Sequence, residues 1–222
     1  MNIFFDLDGT LIDASTRNYS IYRENIVKLG GVPLEKEKYW QLKRKKTEIT
    51  KILKLSKIPK KNHTLYNQRF IDQIESQDRL YMDTIFPFTS ITLNQLHKLG
   101  HHLYLISYRK FKNRALKQLN KLGLANRFEK ILIGRTNHLG QETKSQFISL
   151  ILKNSKYPKT GKRGIFVGDN EDDILAAQKQ KLVSIAVLSG IRNKSILRKC
   201  QPDLIIENIG QLPQLIDSVV DI

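Results

Sequence analysis

Cysteine is nearly missing from this chain: Cys200 is the single one. One thiol excludes an internal disulfide framework and a zinc site built from cysteines. No apolar run approaches the roughly 18 residues that a membrane-spanning helix needs. The first residues give only Ile3-Phe4-Phe5 before Asp6 and Asp8, which is not the apolar stretch of a secretory signal peptide. Acid is scarce relative to base, with 21 Asp and Glu against 38 Lys and Arg, a formal charge of +17. Such a balance attracts anions, either phosphorylated small molecules or nucleic acid. With 12 Gly, 6 Pro and 40% hydrophobic residues the chain is neither collagen-like nor disordered. At 222 residues it suits one compact domain or a domain with a large insertion, against about 150 residues per domain. The expectation is a reduced, cytoplasmic protein with no membrane association.

What is present has a rhythm. Short apolar runs bounded by Gly, Asp or Ser recur at residues 3–5, 103–106, 131–133, 165–167, 185–188 and 204–206. They do not alternate with polar residues, as befits strands covered on both faces. Between the later runs, apolar residues fall at helical spacing: Leu116, Leu119 and Leu122; Phe147, Leu150 and Ile151; Ile174, Leu175 and Ala177. Strand alternating with helix predicts an α/β fold, a doubly wound parallel sheet made of residues 1–13 and 87–222. Residues 14–86 break the rhythm. They show no strand but carry helical spacings (Tyr19, Tyr22, Ile26 and Leu29; Ile49, Ile52 and Leu53; Phe70, Ile71 and Ile74), so an inserted all-α domain is expected there. Asp13-Ala14 and Phe86-Pro87-Phe88 would be its hinges. Between Leu34 and Lys61 the insertion has eleven Lys or Arg against three acids.

Two acidic clusters each follow a predicted strand. In Phe5-Asp6-Leu7-Asp8-Gly9-Thr10 an Asp-Gly turn accounts for Asp8 and Gly9 but not for Asp6, an acid ending an apolar run. In Val167-Gly168-Asp169-Asn170-Glu171-Asp172-Asp173, Asp169 or Asn170 makes a good helix N-cap, and acids in a first turn suit the helix dipole. Yet all strand ends of a parallel sheet share one edge, where ligands bind at the switch point. Two carboxylate clusters on that edge ask for a hard, oxygen-liking cation such as Mg²⁺. Ser107 ends the run 103–106 and reaches the same edge, or caps the following helix. Lys144 stands near a helix start, against the dipole, which hints at a nearby anion.

In this order the residues resemble the haloacid dehalogenase superfamily, in its phosphatase branch with a helical cap, over essentially the whole chain. Asp6-Leu7-Asp8-Gly9-Thr10 matches the first motif, Ser107 the second, Lys144 the third, and Gly168-Asp169 with Asp173 the fourth. The resemblance implies that Asp6 attacks the phosphorus of a phosphate monoester and forms an aspartyl-phosphate, with Asp8 as general acid and then base. It implies Mg²⁺ between Asp6, the backbone carbonyl of Asp8 and Asp169, with Asp173 ordering the shell. Ser107 and Lys144 would hold the phosphoryl oxygens, and the insertion would close as a cap. An acid at Asp8 speaks against a dehalogenase, whose halide leaving group needs no proton, and against a phosphonatase, which is expected to lack it; a phosphomutase keeps it. The implied partner is a small phosphorylated metabolite, phosphoglycolate-like or a sugar phosphate.

Other features carry less. Arg109 is placed with the phosphate-binding residues, reaching the pocket rim toward an anionic tail, or is a surface arginine. His97 and His101 have zinc-ligand spacing, but Lys98 stands where a metalloprotease has Glu, so a basic helix end is the expectation. Gly161-Lys162-Arg163 lacks the rest of a phosphate-binding loop. Trp40 is expected in the core of the insertion. The basic insertion reads as a solvated lysine face; the sharper alternative is a non-catalytic protein binding nucleic acid or another polyanion.

Overall fold

A computed structural model describes residues 1–134, 144–153 and 164–220, with the side chains of 217–220 excepted. Gly161-Lys162-Arg163 lies outside the described residues. Six strands form one parallel sheet: β1 (Asn2–Phe5), β4 (His102–Ser107), β5 (Lys130–Ile133), β6 (Gly164–Gly168), β7 (Val183–Val187) and β8 (Leu204–Ile206). Their order is β5-β4-β1-β6-β7-β8. The chain runs outward from β1 through β4 to β5, then crosses to β6 on the other side of β1. This is the doubly wound sheet expected, with its switch point beside β1.

Side chains alternate across a strand, so a run apolar at every position must be covered twice. Ile3, Phe5, Leu103, Leu105, Ile165 and Val167 join the apolar layer of one face. That layer is completed by Leu93 and Leu96 of α6 (Thr89–Lys98), Leu119 of α7 (Lys112–Lys121) and Ile216 of α11 (Leu212–Val220). Phe4, Tyr104, Ile106 and Phe166 join the other face, under α8 (Lys144–Lys153) and α9 (Glu171–Lys179). The short α10 (Lys194–Arg198) adds Leu197 to a small satellite cluster. Two helix faces are set differently from the spacing read in the sequence. Leu150 is 45% and Leu175 53% exposed, and Ile148 and Ala176 make the contacts instead. A one-residue shift of phase rotates a helix face by about 100°, and these segments are apolar on several sides.

Residues 15–80 are helical: α1 (Ser15–Lys28), α2 (Lys36–Arg44), α3 (Ile49–Leu55), α4 (His63–Ile74) and α5 (Gln77–Leu80). They enclose their own apolar centre of Tyr22, Ile26, Tyr39, Ile52, Leu53, Ile58 and Tyr66. Tyr22 and Tyr39 stack at 4.1 Å between ring centroids, and the Tyr22 hydroxyl bonds Ser56 Oγ at 2.6 Å. Trp40 packs against this centre from its edge, half-buried, and also faces the cavity described below. Ile71, expected on the inner face, is 52% exposed. Most lysines of the basic stretch are exposed, as a solvated face requires. One strand was not expected in this part of the chain: β3 (Thr84–Ile85) pairs antiparallel with β2 (Ile12–Asp13), Ile12 opposite Ile85. Two residues per strand are too few for any periodicity to show. His97 Nε2 bonds the Arg127 carbonyl oxygen at 2.9 Å, so it serves a helix end.

Candidate active site

The register of the sheet brings the two acidic clusters together. Phe5 lies opposite Val167, and the amide of Asp6 extends that ladder by donating to the Val167 carbonyl at 3.0 Å. Asp6 and Asp169 therefore leave adjacent strand ends. Asp173, in the first turn of α9, completes the group: one oxygen from each of Asp6, Asp169 and Asp173 lies within 4.8 Å of the others, and all three residues are buried.

Asn170 is the N-cap of α9, its Oδ1 accepting from the Asp172 amide at 2.9 Å. Asp173 Oδ2 accepts from the amides of Asp169 at 3.1 Å and Asn170 at 3.2 Å. The helix start is capped as one reading expected, and the cap also fixes the Asp173 carboxylate. Asp169 Oδ2 accepts from the Ile191 amide at 2.5 Å, and Oδ1 from Asn170 Nδ2 at 3.1 Å. A Cβ at Gly9 would lie 2.1 Å, and one at Gly190 1.9 Å, from Asp169 Oδ2, so glycine is needed where backbone folds over this oxygen. Gly9 also has φ +77°, which disfavours any other residue.

Lys144 opens α8 with its side chain turned inward. Nζ donates to Asp6 Oδ1 at 2.6 Å and to Asp173 Oδ1. Burial works against the ammonium, but Asp173 and Asp6 outweigh it and raise its pKa. A single ammonium does not balance three buried carboxylates. Burial raises the pKa of Asp6 and Asp173 despite Lys144, and burial followed by repulsion from Asp6 pushes Asp169 up to about 7. An all-oxygen donor set short of positive charge fits a hard divalent cation.

The carboxylate of Asp8 is not part of that group. It turns the other way, Oδ1 accepting from Arg17 Nη2 at 3.0 Å and Arg109 Nη2 at 2.6 Å. Burial would raise its pKa, but Arg109 and then Arg17 outweigh it and hold it below the usual range. Arg109 is 3% exposed and lines the cavity, so of its two readings the surface arginine falls. Asp83, just before β3, faces both guanidiniums, 3.1 Å from Arg17 Nε and 3.5 Å from Arg109 Nη2. Burial pushes its carboxyl up to about 6. Arg17 and Asp83 were missed from the sequence. Arg17 sits amid the polar residues of a helix start, and its partners are set by tertiary structure alone.

Asp6, Asp8, Ser107, Arg109, Lys144 and Asp169 all line one cavity of about 620 Å³ between the sheet edge and the helices of residues 15–80. Ser107 is buried at the end of β4, and Arg109 follows two residues later. The helices add Arg17, Asn18 and Trp40 to its lining. At the rim, Lys46 Nζ and Arg192 Nε each lie 2.8 Å from a Glu171 carboxylate oxygen, and Arg44 Nη2 donates to the Leu188 carbonyl at 2.7 Å. Glu75 Oε2 accepts from the amides of Lys110 and Phe111 at 2.8 and 3.1 Å. Among the described residues no helix is long and apolar enough to cross a membrane.

The chain is similar to known proteins in sequence and in fold. Residues 3–187 match the family model described as haloacid dehalogenase-like hydrolase. A phosphoglycolate phosphatase of Agrobacterium fabrum is 27% identical over 225 residues, covering 97% of this chain and 92% of that protein. Pyrophosphatase PpaX of Oceanobacillus iheyensis is 24% identical, covering 95% and 94%. Among solved structures, a Clostridium difficile protein assigned provisionally as a phosphatase shares the fold, with a TM-score of 0.74 at 20% identity, over 96% of this chain and 97% of that one. A family model covering most of the chain, on a sheet edge that carries the paired acidic clusters, settles its membership: this protein belongs to the haloacid dehalogenase-like hydrolases.

Proposed function

We propose that the chain is a Mg²⁺-dependent phosphatase that hydrolyses a small phosphate monoester through an aspartyl-phosphate. The observation that carries this is the convergence of Asp6, Asp169 and Lys144, backed by Asp173, at a cavity that also holds Asp8. Asp6, as a carboxylate, attacks phosphorus and displaces the alcohol. Asp8, whose pKa Arg109 and Arg17 lower in the free protein, takes up a proton as the substrate binds, gives it to the departing oxygen and later takes one from the water that cleaves the acyl phosphate. Lys144 and Ser107 neutralise and orient the phosphoryl oxygens as charge develops. Asp6, Asp169 and the Asp8 carbonyl, with Asp173 in support, would hold a Mg²⁺ that offsets the repulsion between carboxylate and phosphate. The helical residues 14–86 act as the cap that excludes water and selects the alcohol. The phosphatase names of the relatives support the reaction class, and the single thiol suits a reducing, cytoplasmic setting.

Hydrolysis of an aryl phosphate with and without Mg²⁺ tests the reading. Inorganic phosphate is expected in step with the released alcohol, which distinguishes hydrolysis from phosphoryl transfer within a mutase. Asp6→Asn is expected to abolish turnover with the fold intact, judged by circular dichroism. Turnover near wild type in Asp6→Asn, or no Mg²⁺-dependent hydrolysis of any monoester, would refute it. In the latter case a non-catalytic polyanion binder would remain.

A further inference from the structure

The end of α2 is tied to a loop that belongs to the sheet. Arg44 Nη2 donates to the Leu188 carbonyl at 2.7 Å, and the Arg44 carbonyl accepts from the Asn193 amide at 3.0 Å. Arg192 Nη1 donates to the Lys43 carbonyl at 3.4 Å, and Arg192 and Lys46 share the Glu171 carboxylate. Lys46 has φ +55°, a left-handed turn after the helix where glycine is the usual residue. A lysine stands there against that preference, and its ammonium reaches Glu171. Residues 188–193 also seat both acidic segments. The Ile191 amide donates to Asp169 Oδ2, and Gly190 lies so close to that carboxylate that a side chain would not fit. Ser189 Oγ donates to the Gly9 carbonyl at 2.7 Å. One short loop therefore contacts the Asp8-Gly9 turn, Asp169 and the end of α2.

We infer that Arg44 is a positioning residue for the Asp169 carboxylate: by holding residues 188–193 from the end of α2, it holds the Ile191 amide that fixes Asp169 Oδ2. The inference rests on the phosphatase reading in taking Asp169 as part of the reaction centre. Arg44 does not line the cavity and shares no hydrogen bond with Asp169, so it acts through the loop. A guanidinium on a carbonyl makes a charge-assisted bond, the stronger kind, and this one is partly buried, where water competes less. Residues 189–192 alone lie between the two points that Arg44 holds, Leu188 and Asn193. So short a span cannot slacken at its ends without shifting the amide in its middle. The helical insertion thereby sets the geometry of an acid at the sheet edge, and a carboxylate displaced by about 1 Å can cost about 10²-fold in rate.

The test is residue-resolved amide hydrogen exchange by NMR on the metal-free full chain, comparing wild type with Arg44→Met and Arg44→Lys. In Arg44→Met the Ile191 amide, whose acceptor is Asp169 and not Arg44, is expected to exchange at least about tenfold faster, a loss of about 1.4 kcal/mol in protection. Amides of β1 and β6 are expected to keep their wild-type rates. Arg44→Lys retains a donor on a long stem and is expected to restore part of the protection. With Mg²⁺ and an aryl phosphate, Arg44→Met is expected to lower kcat about fivefold or more with KM within about twofold, since the lost contact lies outside the cavity. An Ile191 amide as protected in Arg44→Met as in wild type would overturn the inference, whatever the activity. So would exchange that quickens equally through β1 and β6, because Arg44 would then serve the fold as a whole. Faster exchange at Ile191 with kcat unchanged would overturn it too, since the reaction would then need no such support for Asp169. Faster exchange at Ile191 in a chain that hydrolyses no monoester would leave the hold on Asp169 standing and overturn the phosphatase reading instead.

Discussion

Asp169→Asn should make the metal-free protein more stable, and only at neutral to alkaline pH. Asp169 is almost fully buried, and its carboxyl is lifted from an ordinary 3.8 to about 7 by burial and then by Asp6. The folded state therefore holds this proton more tightly than the unfolded chain does. The stability from this group is fully present below about pH 4 and is lost as the pH rises to about 7, at most about 4 kcal/mol. An asparagine carries no charge to be penalised. It can keep the bond from the Ile191 amide, but its own NH₂ faces Asn170 Nδ2, so one hydrogen bond of about 1 kcal/mol is forfeited. The expected net gain is about 3 kcal/mol near pH 8 and none near pH 4, where the wild-type group is already protonated. Urea denaturation with a chelator, at both pH values, reads this directly. Added Mg²⁺ should then raise the midpoint of wild type far more than that of Asp169→Asn. A variant no more stable than wild type at the higher pH, or equally stabilised at both, would refute the claim that uncompensated charge sits at this sheet edge.

Three further outcomes follow from the same geometry. Asp8→Asn should slow hydrolysis by about 10²–10⁴-fold for alkyl phosphates and much less for a nitrophenyl ester, whose leaving group needs no proton; equal slowing of both would count against the acid role. Lys144→Met removes the ammonium from between Asp6 and Asp173, and should cost about 3–5 kcal/mol in urea at neutral pH, with the loss shrinking in acid. Gly190→Ala would put a methyl 1.9 Å from Asp169 Oδ2; it should abolish detectable Mg²⁺-dependent turnover, and near-normal activity would show that the backbone there yields easily.

The sheet was legible because its strands are buried on both faces: Ile3, Phe4 and Phe5 feed opposite layers, so the run reads as unbroken. Helix faces were less so. Leu150 and Leu175 sit beside residues of similar character, and only packing chooses between them. The β2–β3 ribbon is too short for its residues to carry a pattern. At the site, Asp6 and Asp169 stood out because each is an acid ending an apolar run, and parallel strands deliver such ends to one edge. Arg17 and Asp83 had no such marker. Their meeting joins α1 to the segment just before β3, 66 residues on, which no local spacing encodes. The sequence likewise left Arg109 between surface and pocket, a choice that its contacts with Asp8 and Asp83 decide.

The division of the carboxylate trio along the chain has a consequence for biosynthesis. Asp6 emerges among the first residues, whereas Asp169 and Asp173 come after β6, the strand whose register with β1 brings them alongside. The helices of residues 15–80, by contrast, enclose an apolar centre drawn only from their own segment. On the ribosome this bundle can therefore mature while the sheet edge still lacks two of the three carboxylates. A nascent polypeptide halted before residue 164 would hold the helical bundle without the two later carboxylates.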